Sequence, residues 1–165
     1  MIYPERTTPR LRLRELTLAD AEAACRHFAD PEVTRFMDIE PCGSIREAEA
    51  IIQFHLDDSG CRYGMFDKET AALLGTCGFH CWRQDPAGIA EIGFDLSPSC
   101  WGQGYMAEAL RELIDIGFRQ MKLAVIEATV EVDNTRCQSL LAKLGFTRAT
   151  ALRDGLYYYA LARPA

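Results

Sequence analysis

No stretch of this 165-residue chain approaches the roughly 18 apolar residues of a membrane-spanning helix. The opening Met1-Ile2-Tyr3-Pro4-Glu5-Arg6 lacks the apolar run of a secretory leader, so a cytoplasmic protein is expected. Positive charge is also short. The 18 Lys and Arg against 24 Asp and Glu leave a net charge of −6, without the basic footprint of bulk nucleic-acid binders. Neither a nucleic acid nor a membrane is expected as partner. Linkers, repeats and low-complexity segments are absent, so one domain spanning 1–165 is expected, long enough to bury a real core.

Cysteine is not scarce, but its seven copies form no framework. Disulfide scaffolds are small, secreted and Cys-dense, so reduced thiols are expected here. Cys77-Gly78-Phe79-His80-Cys81 invites a metal reading. On a regular strand Cys77 and Cys81 share a face about 13 Å apart, at about 3.3 Å per residue, and His80 points the other way. No zinc-type pair spacing appears elsewhere, so buried apolar thiols and no metal are expected.

What is present is a change of period along the chain. Arg10-Leu11-Arg12-Leu13-Arg14 alternates as a half-buried strand. Thr17-Leu18-Ala19-Asp20 opens a helix reaching about Ala29, and Asp30-Pro31-Glu32 a short second one. Phe36 to Gly43 is loop. Ser44-Ile45-Arg46-Glu47 is a capping box before Ile45, Ala48, Ile51, Ile52 and Leu56 at helical spacing. Strands are expected at Arg62 to Phe66, Leu73 to Trp82 and Ile89 to Leu96, with a hairpin loop at Gln84-Asp85-Pro86-Ala87-Gly88. A long helix from Met106 to Gln120 precedes a β-branched strand, Ala124 to Val132. Asn134 or Thr135 opens a last helix closed by Gly145. Phe146 to Arg153 and Leu156 to Ala162 read as an antiparallel pair around Asp154-Gly155. The order β-α-α-α-β-β-β-α-β-α-β-β is a mixed α/β fold of the α+β kind. Its central sheet is mostly antiparallel and flanked by helices, with one parallel pair where the long helix bridges two strands.

Chemistry concentrates in Ser97-Pro98-Ser99-Cys100-Trp101-Gly102-Gln103-Gly104-Tyr105-Met106-Ala107, between a strand and a helix. Glycines there expose backbone N–H groups at a helix N-terminus, which suits a phosphate. No Lys-Ser or Lys-Thr follows the second glycine, so this is not a nucleotide P-loop. Three glycines at dinucleotide spacing are lacking as well.

The stretch Trp101-Gly102-Gln103-Gly104-Tyr105-Met106-Ala107-Glu108-Ala109-Leu110 resembles the acetyl-CoA pyrophosphate loop of the GNAT acetyltransferase superfamily. Asn134-Thr135-Arg136-Cys137-Gln138-Ser139-Leu140-Leu141-Ala142-Lys143-Leu144-Gly145-Phe146 is similar to its second signature. Thr8-Pro9-Arg10-Leu11-Arg12-Leu13-Arg14 and Asp30-Pro31-Glu32-Val33 resemble the ribosomal-protein N-terminal acetyltransferases of the RimJ/RimL type. The resemblance covers about residues 8 to 162. One departure is Ser99, where the superfamily often has Gln or Arg.

The resemblance implies that the parallel strands splay apart and hold acetyl-CoA, the cosubstrate. The amides of Trp101, Gly102, Gln103, Gly104, Tyr105, Met106 and Ala107 would cradle its pyrophosphate. The main chain of Phe94, Asp95 and Leu96 would pair with the pantetheine arm, one N–H polarising the thioester. An amine nucleophile must lose a proton, and Glu91 matches the strand carboxylate some members use as general base. A solvated strand glutamate is the plain alternative. Asn134 caps its helix and by resemblance bonds the pantetheine or a water. Cys137 lies where the branch often has Ser and is the candidate acid for the departing thiolate, against a simple buried Cys. The superfamily's usual Tyr acid position is Leu141 here. Phe36, Met37 and Asp38 fall where the family builds its acceptor site. Lys143 and Arg136 are candidates for phosphate contacts or a solvated helix face. Tyr157-Tyr158-Tyr159 is aromatic strand packing with one face available to an acceptor. An N-acetyltransferase is expected, acting by direct attack of a primary amine: a protein N-terminus, an amino acid, a polyamine or an antibiotic. The alternative is a non-catalytic acyl-CoA-binding module. A homodimer is a family-level expectation.

Overall fold

The alternation around Arg12 puts two leucines on one side of a strand, and both Leu11 and Leu13 are fully buried in the computed structural model of the chain. Residues 3–58, 61–84 and 88–165 are described; the centre of the expected 84–88 hairpin loop, residues 85–87, lies outside them. The elements in order are β1 (Arg6–Thr7), β2 (Leu11–Arg14), α1 (Ala21–Phe28), α2 (Pro31–Thr34), α3 (Ile45–Asp57), β3 (Arg62–Asp67), β4 (Leu73–Arg83), β5 (Ile89–Leu96), α4 (Tyr105–Arg119), β6 (Val125–Val130), α5 (Thr135–Lys143), β7 (Thr147–Arg148) and β8 (Tyr157–Ala162). The described strands form one sheet in the order β1-β2-β3-β4-β5-β6-β8-β7. All its pairs are antiparallel except β5 with β6.

Each face of the sheet has its own core. On one side Leu110, Leu113 and Ile116 of α4 are fully buried in a cluster with Leu11, Leu13, Tyr63, Cys77, Phe79, Ala90 and Ile126. Burying those three helix side chains is worth about 5–9 kcal/mol at about 1.5–3 kcal/mol each. On the other side α1 and α3 pack with Leu16 and Phe66 through Ala24, Phe28, Ala48 and Ile52. Both cap signals hold. The Ser44 hydroxyl accepts from Glu47 N (3.2 Å) and Asn134 Oδ1 accepts from Cys137 N (3.2 Å). Gly145 ends α5 at φ +90, with Phe146 N–H donating back to Leu141 O at 3.0 Å.

Two expectations are corrected. The strand expected over Phe146 to Arg153 shrinks to Thr147–Arg148. Its first residue is spent in the α5 cap, and Ala149 to Leu152 are exposed, so no buried face holds them in line. Pairing resumes as a single bridge, Arg153 to Leu156, around Asp154 (φ +51) and Gly155 (φ +80). A two-residue β1 also pairs with β2, too short to leave an alternation in sequence.

Candidate active site

The parallel pair is short, and that makes a split. β5 and β6 register only at Ile89 with Val125, Ala90 with Ile126 and Glu91 with Glu127. Beyond Glu91, β5 runs on to Leu96 beside β4, and β6 runs on to Val130 beside β8. The two strands therefore diverge from the position of Glu91, leaving a cleft at their C-terminal ends, where open α/β sheets place ligands.

Glu91 sits half-buried at the root of this cleft. Its carboxylate accepts from Thr129 N (3.1 Å) and from the Thr129 hydroxyl, across the mouth of the split. His80 Nε2 lies 3.5 Å from its other oxygen. Burial pushes the Glu91 carboxyl up, but the His80 and Thr129 hydrogen bonds outweigh it and hold it below the ordinary carboxylate range. Glu127, its parallel-register neighbour, is buried but already engaged: Arg83 Nη2 at 3.1 Å, the Tyr158 hydroxyl at 3.0 Å and Arg153 at 3.8 Å. Glu91 is the acid without a guanidinium partner among these contacts.

The loop after β5 is built for exposed amides. Residues Pro98–Cys100 make a 3-10 turn, and Gly102 and Gly104 follow at φ +72 and +83. A Cβ at Gly102 would meet nothing within 4 Å, and one at Gly104 only Arg10 Nη2 at 3.4 Å. The glycines therefore serve the left-handed backbone first, leaving open space above it. Gly104 caps α4, and its carbonyl receives Glu108 N–H at 3.0 Å. The amides of Tyr105, Met106 and Ala107 stand at the open first turn of the helix, in its dipole field. Trp101 differs from expectation: its N–H donates to Pro98 O (3.1 Å), so that amide is occupied. Its indole Nε1 donates to Leu96 O (2.8 Å), which occupies that carbonyl too, and Arg136 stacks on the ring at 3.4 Å. Gln103 is held by both ends. Its Nε2 donates to Ser99 O (2.7 Å), and its carbonyl accepts from Arg10 Nη1 (2.9 Å). Arg10 in turn donates to Glu108 and covers the Tyr105 ring. A charged β2-edge residue thus pins the loop between its two glycines.

Of the strand residues, Phe94 packs into the α4-side core. Asp95 is turned to the opposite face and is completely enclosed. It accepts from His27 Nε2 (2.6 Å), Thr76 N (2.9 Å) and the Thr76 hydroxyl (2.5 Å). With the Nε2 proton directed at Asp95, His27 Nδ1 in the neutral ring accepts from the Ser97 hydroxyl at 3.0 Å. Asp95 is therefore an anchor between α1 and the sheet.

Asn134, Trp101, Phe36, Arg35 and Arg136 line a hollow of about 150 Å³ between α2 and the start of α5, bringing three of the expected residues together. A larger hollow of about 470 Å³, walled by Arg14, Arg26, His27 and Ser97, contains none of them. Cys137 is half-buried in the first turn of α5. Burial alone pushes its thiol up to about 12, so it stays protonated through the neutral range. That separates it from the ordinary thiol acidity of about 8.5 expected for a matched proton donor.

Sequence reasoning missed His27, Thr129 and Arg10 as participants. Only Arg10 had a local signal, as part of the Arg-Leu-Arg-Leu-Arg strand. It also sent His80 and Cys81 to opposite faces. The structure instead has an irregularity between His80 and Arg83, with Cys81 at φ +50, and gathers His80, Cys81 and Glu91. Cys77 is fully buried in the α4-side core, as the regular alternation required.

The profile of the Acetyltransferase (GNAT) domain family matches residues 10–147. The chain belongs to the GNAT acetyltransferase family. It is 42% identical over 151 residues to the uncharacterized N-acetyltransferase p20 of Bacillus licheniformis, covering 89% of this chain and 84% of that one. It is 29% identical over 141 residues to the [ribosomal protein uS5]-alanine N-acetyltransferase of Escherichia coli, covering 84% and 73%. In fold it superposes on a GNAT-family acetyltransferase from Bacillus anthracis with a TM-score of 0.82, at 23% identity, over 96% of this chain and 98% of that one. The chain is thus a GNAT acetyltransferase, of a family that uses acetyl-CoA as cosubstrate. The open first-turn amides of α4, the two left-handed glycines and the split beside them fit such a phosphorylated, strand-like ligand. Among the described residues no helix is long and apolar enough to cross a membrane.

Proposed function

We propose that this acetyltransferase moves an acetyl group from acetyl-CoA to a primary α-amine, the N-terminal amine of a protein foremost, by direct attack on the thioester. The observation that carries the reading is the β5–β6 divergence at Glu91 with the α4 amides at the end of the same strand. The amides of Gly102, Gln103, Gly104, Tyr105, Met106 and Ala107 take the pyrophosphate. The freed edge of Phe94 to Leu96 offers main-chain groups to the pantetheine arm, and Asn134 orients it or a water.

Glu91 acts as the proton acceptor. A carboxylate held below its ordinary range is ionised at neutral pH but weakly basic. It therefore suits an amine that gives up its proton easily. An α-amine has a pKa of about 7.7–8.0 and a lysine about 10.4, a difference of about 3.4 kcal/mol in deprotonation at about 1.36 kcal/mol per unit. This, and the likeness to a protein-alanine acetyltransferase, favours an α-amine over a lysine or polyamine. The Cys137 thiol, at about 12, donates a hydrogen bond to the departing sulfur and keeps its proton. Solvent protonates the thiolate.

The test is CoA release by the purified chain over a panel of α-amino peptides, amino acids, lysine ε-amines and polyamines. Turnover is expected with α-amines, and Glu91→Gln is expected to lower kcat about 100-fold with little change in KM. A kcat within about threefold of the parent refutes the base assignment. Acetyl-CoA binding without turnover over any amine supports a binding module instead.

A further inference from the structure

We propose that His80, Cys81 and Glu91 form a site for a thiophilic divalent cation of the zinc class, and that the bound cation inhibits acetyl transfer by taking the Glu91 carboxylate. The inhibition, not the site, rests on the reading of Glu91 as proton acceptor.

Three donors of the kinds zinc favours, an imidazole nitrogen, a thiol sulfur and a carboxylate oxygen, lie within 4.8 Å of one another. His80 Nε2 and Glu91 Oε2 are 3.5 Å apart. Tetrahedral ligands at about 2.0–2.3 Å from a zinc ion stand about 3.4–3.7 Å from each other, so the cluster is near ligating size. The fold assembles it by breaking its own rule. Alternation along β4 would put His80 and Cys81 on opposite faces. The ladder slips between His80 and Arg83, and Cys81 takes φ +50, a backbone strained for any residue with a Cβ. His80 also lies over Gly93, where a Cβ would come within 2.9 Å of the ring. The absence of a side chain at Gly93 therefore lets the imidazole lie flat toward Glu91.

The surroundings favour a cation. The carboxylates of Glu91, Asp58 and Glu127 all act on the Cys81 thiol, against Arg83. Cys81 is exposed, so an ion can enter. Three protein ligands leave a fourth position for water. On binding, Cys81 releases its thiol proton to buffer and becomes the thiolate ligand, and Glu91 exchanges its hydrogen-bond donors for the ion. No electron moves and no bond to carbon changes.

The experiment uses the untagged full chain. Zinc binding is measured by competition with a chromophoric chelator, cobalt binding by thiolate-to-metal charge-transfer absorption, and CoA release across a zinc titration. One ion per chain is expected, with the cobalt charge-transfer band and loss of turnover on the same isotherm. Cys81→Ser is expected to weaken binding about 100-fold or more, abolish the band and leave metal-free turnover unchanged. Cys81→Gly, which tolerates φ +50, should do the same and guards against misfolding of the serine variant. Binding that survives both substitutions, or its absence in the parent, overturns the site. Stimulation of turnover by zinc overturns the inhibition. Binding at the site without any loss of turnover leaves the metal site standing and refutes its coupling through Glu91.

Discussion

Asp95 offers the sharpest test of how the site is held, because its side chain does a different job from the one its position in the strand suggests. Its two oxygens receive three donors: His27 Nε2 and Thr76 N on one, the Thr76 hydroxyl on the other. Arg62 stands 3.9 Å from the second. In Asp95→Asn the amide oxygen keeps its two donors if it takes the first position. The amide nitrogen then faces the Thr76 hydroxyl, which rotates to accept, and the Arg62 guanidinium, which cannot. What is lost is charge assistance on three hydrogen bonds. Bonds to charged groups are worth about 1.5–3 kcal/mol and neutral ones about 1, so the loss is about 2–3 kcal/mol. At about 2.1 cal/mol/K per residue of unfolding entropy that is a fall in Tm of about 5–10 °C.

The sign of the pH dependence is fixed by the same contacts. Burial pushes the Asp95 carboxyl up, but His27, Arg62 and Thr76 outweigh it and hold it below its ordinary range. The unfolded chain therefore binds the proton first on acidification. The contribution is fully present above the unfolded value of about 3.9 and is lost as pH falls through the folded one. Parent and variant should differ by the full amount in urea melts near neutral pH and converge below about pH 4. Taking the difference removes the other acids. A Tm change under 2 °C, or a gap that widens in acid, refutes the anchor.

The remaining predictions concern the cleft. Saturating acetyl-CoA, at about 100 times Kd, should raise the parent Tm by about 5–10 °C while ATP does not. In Gly104→Val, whose side chain must sit at φ +83, that shift should vanish in a chain that still folds, since strain there is only about 1–2 kcal/mol; an undiminished shift removes the loop from the ligand site. Cys137→Ala should lower kcat no more than about tenfold, the worth of one hydrogen bond, and a fall of about 100-fold or more would restore the thiol as proton donor.

The glycine loop was legible because its requirement is written in residue type: two positions need φ above zero, and glycine occupies both. The helices were legible through their caps, and the parallel pair through the long helix that must cross between its strands. Glu91 could be picked out because a carboxylate on the strand leading into that loop has chemistry to offer. The partners that set its acidity could not. Thr129 is 38 residues away and His80 reaches it only through sheet register, which no local pattern carries. The same holds for His27 and Asp95, 68 positions apart, each unremarkable in its own element.

Cys81 marks the deeper limit. Periodicity assigns faces only while the ladder stays regular, and it assigned Cys77 correctly for that reason. Four residues later one slip of register returns a thiol to the face its pattern had denied it, beside an imidazole and a carboxylate. A β-bulge has no residue code as sharp as a left-handed glycine turn, so it hides from a reading built on spacing. Yet Cys81 is strained at φ +50 where a glycine would be at ease. If the thiol did nothing, Cys81→Gly should simply stabilise the chain. The metal titration on that same variant therefore separates a residue kept for its sulfur from one merely tolerated in its bend.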